Sequence, residues 1–205
     1  MMTTTNIDLT IEICSEDGSH TQFYQNDEAS ISKILRLLFT PQLFTQPFLT
    51  MASEQSVSAV PCRTIDMILV RTPTTPPLLL PPGFLDIVEI DTEAFHDEAV
   101  LNGASNAAGE DRSTEAEGII SFVEIHTIGD WMTGLRLRTA IQETVQDQRQ
   151  LWAHFFDLPV IPFRLEAGGA GFINPTKISR VTVYPAFKEV AETGLPADLL
   201  RCIRS

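Results

Sequence analysis

An α+β fold is what this sequence predicts: two ββαββ units with antiparallel sheets, related by a pseudo-two-fold and followed by a C-terminal helical tail. Three observations carry that expectation. Apolar residues alternate with period two over short runs, two segments carry apolar residues at helical spacing, and the same element order recurs on either side of a proline-rich, acidic middle. The divisions that follow are a first unit over 5–71, a connecting segment over 72–117, a second unit over 118–185 and a tail over 186–205.

In the first unit Ile7, Leu9, Ile11 and Ile13 alternate with Asp8, Thr10 and Glu12, the pattern of a half-buried strand. Asp17-Gly18 supplies a hairpin turn, and Thr21–Tyr24 is a weaker return strand. Asn26 is expected to cap a helix whose apolar face is Ile31, Ile34, Leu35 and Leu38. The chain then runs through Pro47-Phe48-Leu49-Thr50-Met51 to Ile65–Val70, a buried strand.

The second unit follows the same order. Ile119–Ile125 is a strand, and its VEI at 123–125 echoes the IEI at 11–13. Gly129-Asp130 supplies the turn, and Leu135 and Leu137 alternate with Arg136 and Arg138 on the way back. Thr139 with Gln142 fits a capping box for a helix with Ile141, Val145, Trp152 and Phe156 on one face. Pro162-Phe163 echoes Pro47-Phe48, and Ile178, Val181 and Val183 echo Ile65, Ile68 and Val70.

Thr72–Phe84 holds five prolines around Leu78-Leu79-Leu80 and is therefore extended. One further strand is expected at 84–90, then a linker over 102–118 that lacks apolar periodicity. Two short helices over 186–193 and 196–203 make the tail.

Charge narrows the function. The formal net charge is −13, and residues 72–117 hold ten acids against Arg112 alone. Nucleic acid and anionic membrane surfaces would repel such a chain, so neither is an expected partner. The N-terminus lacks a basic and an apolar signal region, and no run approaches the roughly 20 apolar residues of a membrane span. The expected location is cytoplasmic. Cys14, Cys62 and Cys202 form no CxxC and no zinc spacing, so they read as small apolar residues.

Catalytic motifs fail on their surroundings. Ser105 sits outside the strand-turn-helix that a nucleophile elbow needs, and Gly168-Gly169-Ala170-Gly171 precedes no phosphate-binding helix. That glycine run reads as a hairpin loop. His20, His96, His126 and His154 form no close metal-ligand pair, so no metal and no cofactor is expected. The candidate ligand-binding residues are His126, Asp130, Arg136, Arg138 and His154. The first two flank the second hairpin turn, and the arginines leave one face of a strand. Arg164 and Arg180 extend that face into a basic stripe if the strands align, with Glu124 and Glu166 interleaved.

Two classes of function remain. The first is a non-catalytic interaction or assembly protein that forms homo-oligomers, or binds another protein, through sheet edges and the proline-rich segment. The second is an enzyme or small-ligand receptor with its site in the cleft between the units. The failed motifs favour the first.

Overall fold

The computed structural model describes residues 8–53, 55–73, 77–92, 94–99, 118–140 and 145–184, with backbone alone for 145–149. The linker at 102–117, the tail over 186–205, Cys202, Ile141 and Gln142 lie outside the described residues, as does the side chain of Val145. The chain is α+β and mostly sheet. Its strands are β1 (Leu9–Ser15), β2 (His20–Gln25), β3 (Phe48–Ala52), β4 (Val57–Pro61), β5 (Ile65–Arg71) and β6 (Phe84–Ile90). They continue as β7 (Ile119–Thr127), β8 (Met132–Thr139), β9 (Ile161–Arg164), β10 (Ala170–Ile173) and β11 (Ile178–Tyr184). Helices are α1 (Glu28–Leu38), a short α2 over 94–99, and α3 (Val145–Phe156). No helix among the described residues is long and apolar enough to cross a membrane.

Nine strands share one sheet, in the order β11-β7-β8-β6-β9-β10-β5-β1-β2, while β3 and β4 pair separately. Both expected units therefore contribute to a single sheet, with β6 of the connecting segment near its centre. Neighbours are antiparallel except β6 and β9, which run parallel. Three strands rather than two follow α1, and three follow α3. The additions are β4 and β10, short runs whose Ser, Pro or Gly content hides the alternation.

The period-two reading of β1 is reproduced by burial, with Leu9, Ile11 and Ile13 all inside. They point to the outer face of the sheet, where α1 and the β3–β4 hairpin cover them with Ile31, Leu38, Leu49 and Met51. Burying Ile31 and Leu38 stabilises this packing by roughly 1.5–3 kcal/mol each. The N-cap of α1 is Asp27 rather than Asn26. The Asp27 carboxylate accepts from Ser30 N at 2.8 Å, and the Asn26 amide is taken by the Gln25 side chain.

The inner face gathers Val123, Ile125, Leu135 and Leu137 with Ile87, Phe163, Met67 and Leu69, and α3 closes it with Trp152 and Phe155. Phe155 replaces the expected Phe156, which instead stacks on Trp152 at 6.0 Å near the surface. Thr139 is no helix cap. It ends β8, and its hydroxyl donates to Ile119 O at 3.4 Å. In the proline-rich segment Leu78 joins the outer core and Leu80 the inner one, while Leu79 stands 87% exposed.

The sheet is closed by contacts between strands far apart in its order. In a flat sheet of these directions the β1–β2 and β7–β8 turns would lie at opposite ends. Six strand steps at roughly 20–25° each rotate β7 by roughly 120–150° from β1 and bring the turns together. Gly129 N donates to the buried Asp66 Oδ2 at 2.7 Å, and Trp131 Nε1 donates to Ser15 O at 3.1 Å. Lys177 pairs with Glu16 across the same junction. A Cβ on Gly129 would lie 2.3 Å from Ser15 O and 2.7 Å from Asp66 Oδ2, so only glycine fits.

Local details recur in the two halves. Ser15 N and Thr127 N each donate four residues ahead, to Ser19 O at 2.9 Å and Trp131 O at 3.0 Å. Gly18 (φ 77) and Asp130 (φ 72) hold the same left-handed place in their turns. A 3-10 turn precedes both β5 (Cys62–Thr64) and β11 (Pro175–Lys177). A bulge interrupts β1–β5 at Cys14/Ser15 and β11–β7 at Ile178/Arg180.

Gly129→Ala is expected to destabilise the protein by roughly 2–3 kcal/mol, because backbone on one side and a buried carboxylate on the other must both shift. Urea unfolding of the variant beside the wild type measures this, and an unchanged midpoint would mean that the turn is not docked.

Candidate functional site

The outer face of β7 is set by its inner one. Val123 and Ile125 go into the core, so Phe122, Glu124 and His126 point outwards. Register then fixes their neighbours. Arg180 of β11 stands opposite His126, and Arg136 of β8 lies between Phe122 and Val88. Arg138 lies between Ile120 and Asp86, and Arg164 of β9 stands opposite Val88. All four arginines therefore leave one face, as the strand spacing suggested.

Phe95 of α2 anchors the helix over this face. Its ring lies against Gly134, where a Cβ would come within 2.6 Å, and meets Phe122 and Tyr184 edge-on at 6.1 and 6.0 Å. Gly134 sits opposite Glu124, so the helix roofs a buried carboxylate. Glu124 Oε1 accepts from Arg180 at 3.0 Å and lies 2.5 Å from His126 Nε2, and His96 of α2 is 3.8 Å from Oε2. Arg180 also reaches His126 Nε2 at 2.5 Å. That nitrogen serves one of them at a time: protonated it donates to Glu124, unprotonated it accepts from Arg180. Burial pushes the nearby Tyr184 hydroxyl above its ordinary pKa, and Glu124 adds to the rise.

The five residues singled out from sequence thus separate into four groups. His126 joins this polar cluster. Arg136 and Arg138 are exposed on the same face, and among the described residues neither forms an ion pair, whereas Arg164 reaches Asp86 at 3.5 Å. Asp130 stands in the β7–β8 turn with positive φ. His154 is exposed in the last turn of α3, which packs on the inner face, so the sheet separates it from His126. His126 and His154 are not brought together. Glu124, read from sequence as a charge interleaved with the basic stripe, Arg180, read as part of that stripe, and His96 are the residues that join His126. The alternation of Phe122, Glu124 and His126 signalled the first of these, but nothing local placed α2 above them.

Within the cluster one buried donor, Arg180 Nε, has no hydrogen-bond partner among the described residues. Glu124 neutralises Arg180, and among the described residues Arg136 and Arg138 have no carboxylate partner on this face. Among the described residues no group of His, Cys, Asp and Glu is arranged to hold a metal ion. Burial, with Glu12 and Asp66 nearby, pushes the Cys14 thiol up to about 12, so it is no nucleophile at neutral pH. An acidic depression of about 400 Å³ lies elsewhere, lined by Glu89, Asp91 and Glu166 among others. Burial pushes the Glu89 carboxyl above its ordinary value of 4.5, opposed by Arg71 and reinforced by Glu166 and Asp91.

An apolar groove of about 240 Å³ runs between Phe39-Thr40-Pro41, the Leu78–Pro82 strap and Leu158–Val160. None of the five residues singled out from sequence lines it. No protein-family model, no curated protein and no solved structure matches the chain.

Glu124→Ala is expected to destabilise by about 2 kcal/mol, since it leaves a half-buried guanidinium without its carboxylate; thermal unfolding of the variant measures it. Glu89 gives a pH test. A carboxyl whose folded pKa is raised favours the fold below its unfolded pKa and loses that contribution as pH rises through the folded one. Glu89→Gln is therefore expected to raise the unfolding midpoint at pH 7 and to change it little at pH 4, and the reverse order would contradict the assignment.

Proposed function

We propose that this protein is a non-catalytic interaction and assembly protein, built from two diverged copies of one unit and self-associating through an open edge of its sheet. The observation that carries the reading is β2. It is an edge strand among the described residues, its six residues HTQFYQ contain no Lys, Arg, Asp, Glu or Pro, and its pairing with β1 runs without a bulge. Natural sheet edges are blunted by those very devices, because a bare edge offers unpaired backbone groups to another strand. An edge left open on a strongly acidic chain is a joining surface.

Duplication is supported by the recurring turns, 3-10 turns and bulges, and by strand order. β5-β1-β2 and β11-β7-β8 follow one order, and the two groups run in opposite directions. Leu9, Ile11 and Ile13 face outwards, whereas Val123 and Ile125 face inwards. A half-turn about an axis lying in the sheet across its strands, combined with a shift along that axis, has these consequences: order kept, direction reversed, faces exchanged.

Arg136 and Arg138, with His126, Asp130 and His154 on their separate surfaces, supply further contact groups for a partner. A small-ligand receptor is the second reading, favoured by the apolar groove between residues of both halves. Its polar complement is slight, because Thr40 is the one polar side chain among the residues that line it.

Size-exclusion chromatography with light scattering at tens of micromolar decides between a mass of at least twice 22.7 kDa, which assembly requires, and a monomer, which would end the proposal.

A further inference from the structure

The second half of the sheet shows what the open edge of the first half lacks. β8 corresponds to β2 in strand order, and its outer side is filled by β6, which runs antiparallel to it over Phe84–Ile90. The same side of β2 carries no strand among the described residues. The fold thus holds two similar slots, one occupied from within the chain and one with no occupant among the described residues.

We infer that the second slot is filled by β2 of a second copy, so that two nine-stranded sheets join edge to edge; this rests on the assembly reading above. An antiparallel pair of identical strands is related by a two-fold normal to the sheet. That axis keeps each residue on its own face, so either Gln22 or Phe23 meets its own copy at the centre. With Gln22 central, Thr21 meets Phe23 and His20 meets Tyr24. With Phe23 central, Gln22 meets Tyr24 and Thr21 meets Gln25.

Charge selects this occupant. Two copies of a −13 chain repel, and self-pairing sets like against like at the axis. β1, with Glu12, would place carboxylates close together, but β2 contributes no formal charge when His20 is neutral. Tyr24, 61% exposed, adds apolar area beside the joint and is pinned by its hydroxyl donating to Asp8 at 2.7 Å. The opposite edge, β11, is less fit. Its bulge at Ile178/Arg180 bends it, and Arg180 is committed to Glu124.

The test compares the full-length wild type with Gln22→Lys/Tyr24→Lys by light scattering over a dilution series, with circular dichroism and tryptophan emission as controls of the fold. Both positions are exposed, and the new lysines face lysines or His20 across either register. A wild-type dimer whose dissociation constant rises at least tenfold in the folded variant supports the inference. A variant as dimeric as the wild type overturns it while leaving assembly through another surface standing. A monomeric wild type overturns both and gives the edge to a strand of a different protein. Should the lysine variant fail to fold, Gln22→Cys and Phe23→Cys decide. Opposed residues of an antiparallel pair lie within disulfide reach. Quantitative cross-linked dimer from one of them on mild oxidation, in a Cys202→Ser background, supports the pairing, and monomer from both overturns it.

Discussion

Gly129 gives its amide proton to a carboxylate with no solvent exposure, that of Asp66, and Trp131 gives its indole proton to the Ser15 carbonyl. These two bonds join strands that lie five or six steps apart in one sheet. A sheet of nine strands that stayed open would expose both faces along its centre, and the three helices among the described residues are too few to cover them. Twist and closure solve this by folding the sheet over its own inner face, so that strand side chains on opposite walls, such as Thr133 and Met67, bury one another. The bond through Asp66 is costly to arrange, since its Oδ1 finds no partner among the described residues. A buried carboxylate that accepts only one bond makes the position of that turn exacting rather than merely favourable.

Closure also decides what is left outside. α1 and the β3–β4 hairpin cover the outer wall of the first half, and α2 roofs part of the second. Between them lies the arginine-bearing strip, and at the far end of the sheet lies β2. The inner wall, by contrast, is filled by α3. Among the described residues the outer face and the edges are left accessible, and the polar cluster around Glu124 is a consequence of that arrangement. A carboxylate pointing outwards would be solvated were it not for Phe95 resting on Gly134 beside it.

Much of the fold was legible because its signals are local. The alternation at Leu9–Ile13 and Leu135–Leu137, the turn at Asp17-Gly18 and the apolar face of α1 each depend on residues within a few positions. What escaped depends on distant partners. β10 reads as loop because Gly171 leaves room for the Phe163 ring across the strands, which no local pattern reveals. Phe155 outranks Phe156 because α3 lands on the inner wall at a rotation fixed by Phe84, whose ring lies 5.2 Å away. The merging of strands into one sheet depends on β5 accepting β10, a pairing across about a hundred residues.

The site was legible in the same uneven way. Spacing put Arg136 and Arg138 on one face, and the pairing of β8, β6, β9, β7 and β11 added Arg164 and Arg180 to it. The joining of His126 to Glu124 and Arg180 needed β11 beside β7, and the separation of His154 needed to know which face α3 covers. A direct measure of whether closure binds the halves is native-state hydrogen exchange. If it does, amides of β1, β5, β7 and β8 exchange through one common opening, with the same free energy and the same denaturant dependence. Two distinct opening energies, one for β1 and β5 and a lower one for β7 and β8, would show that the halves fold independently, and would contradict the closed sheet on which everything here stands.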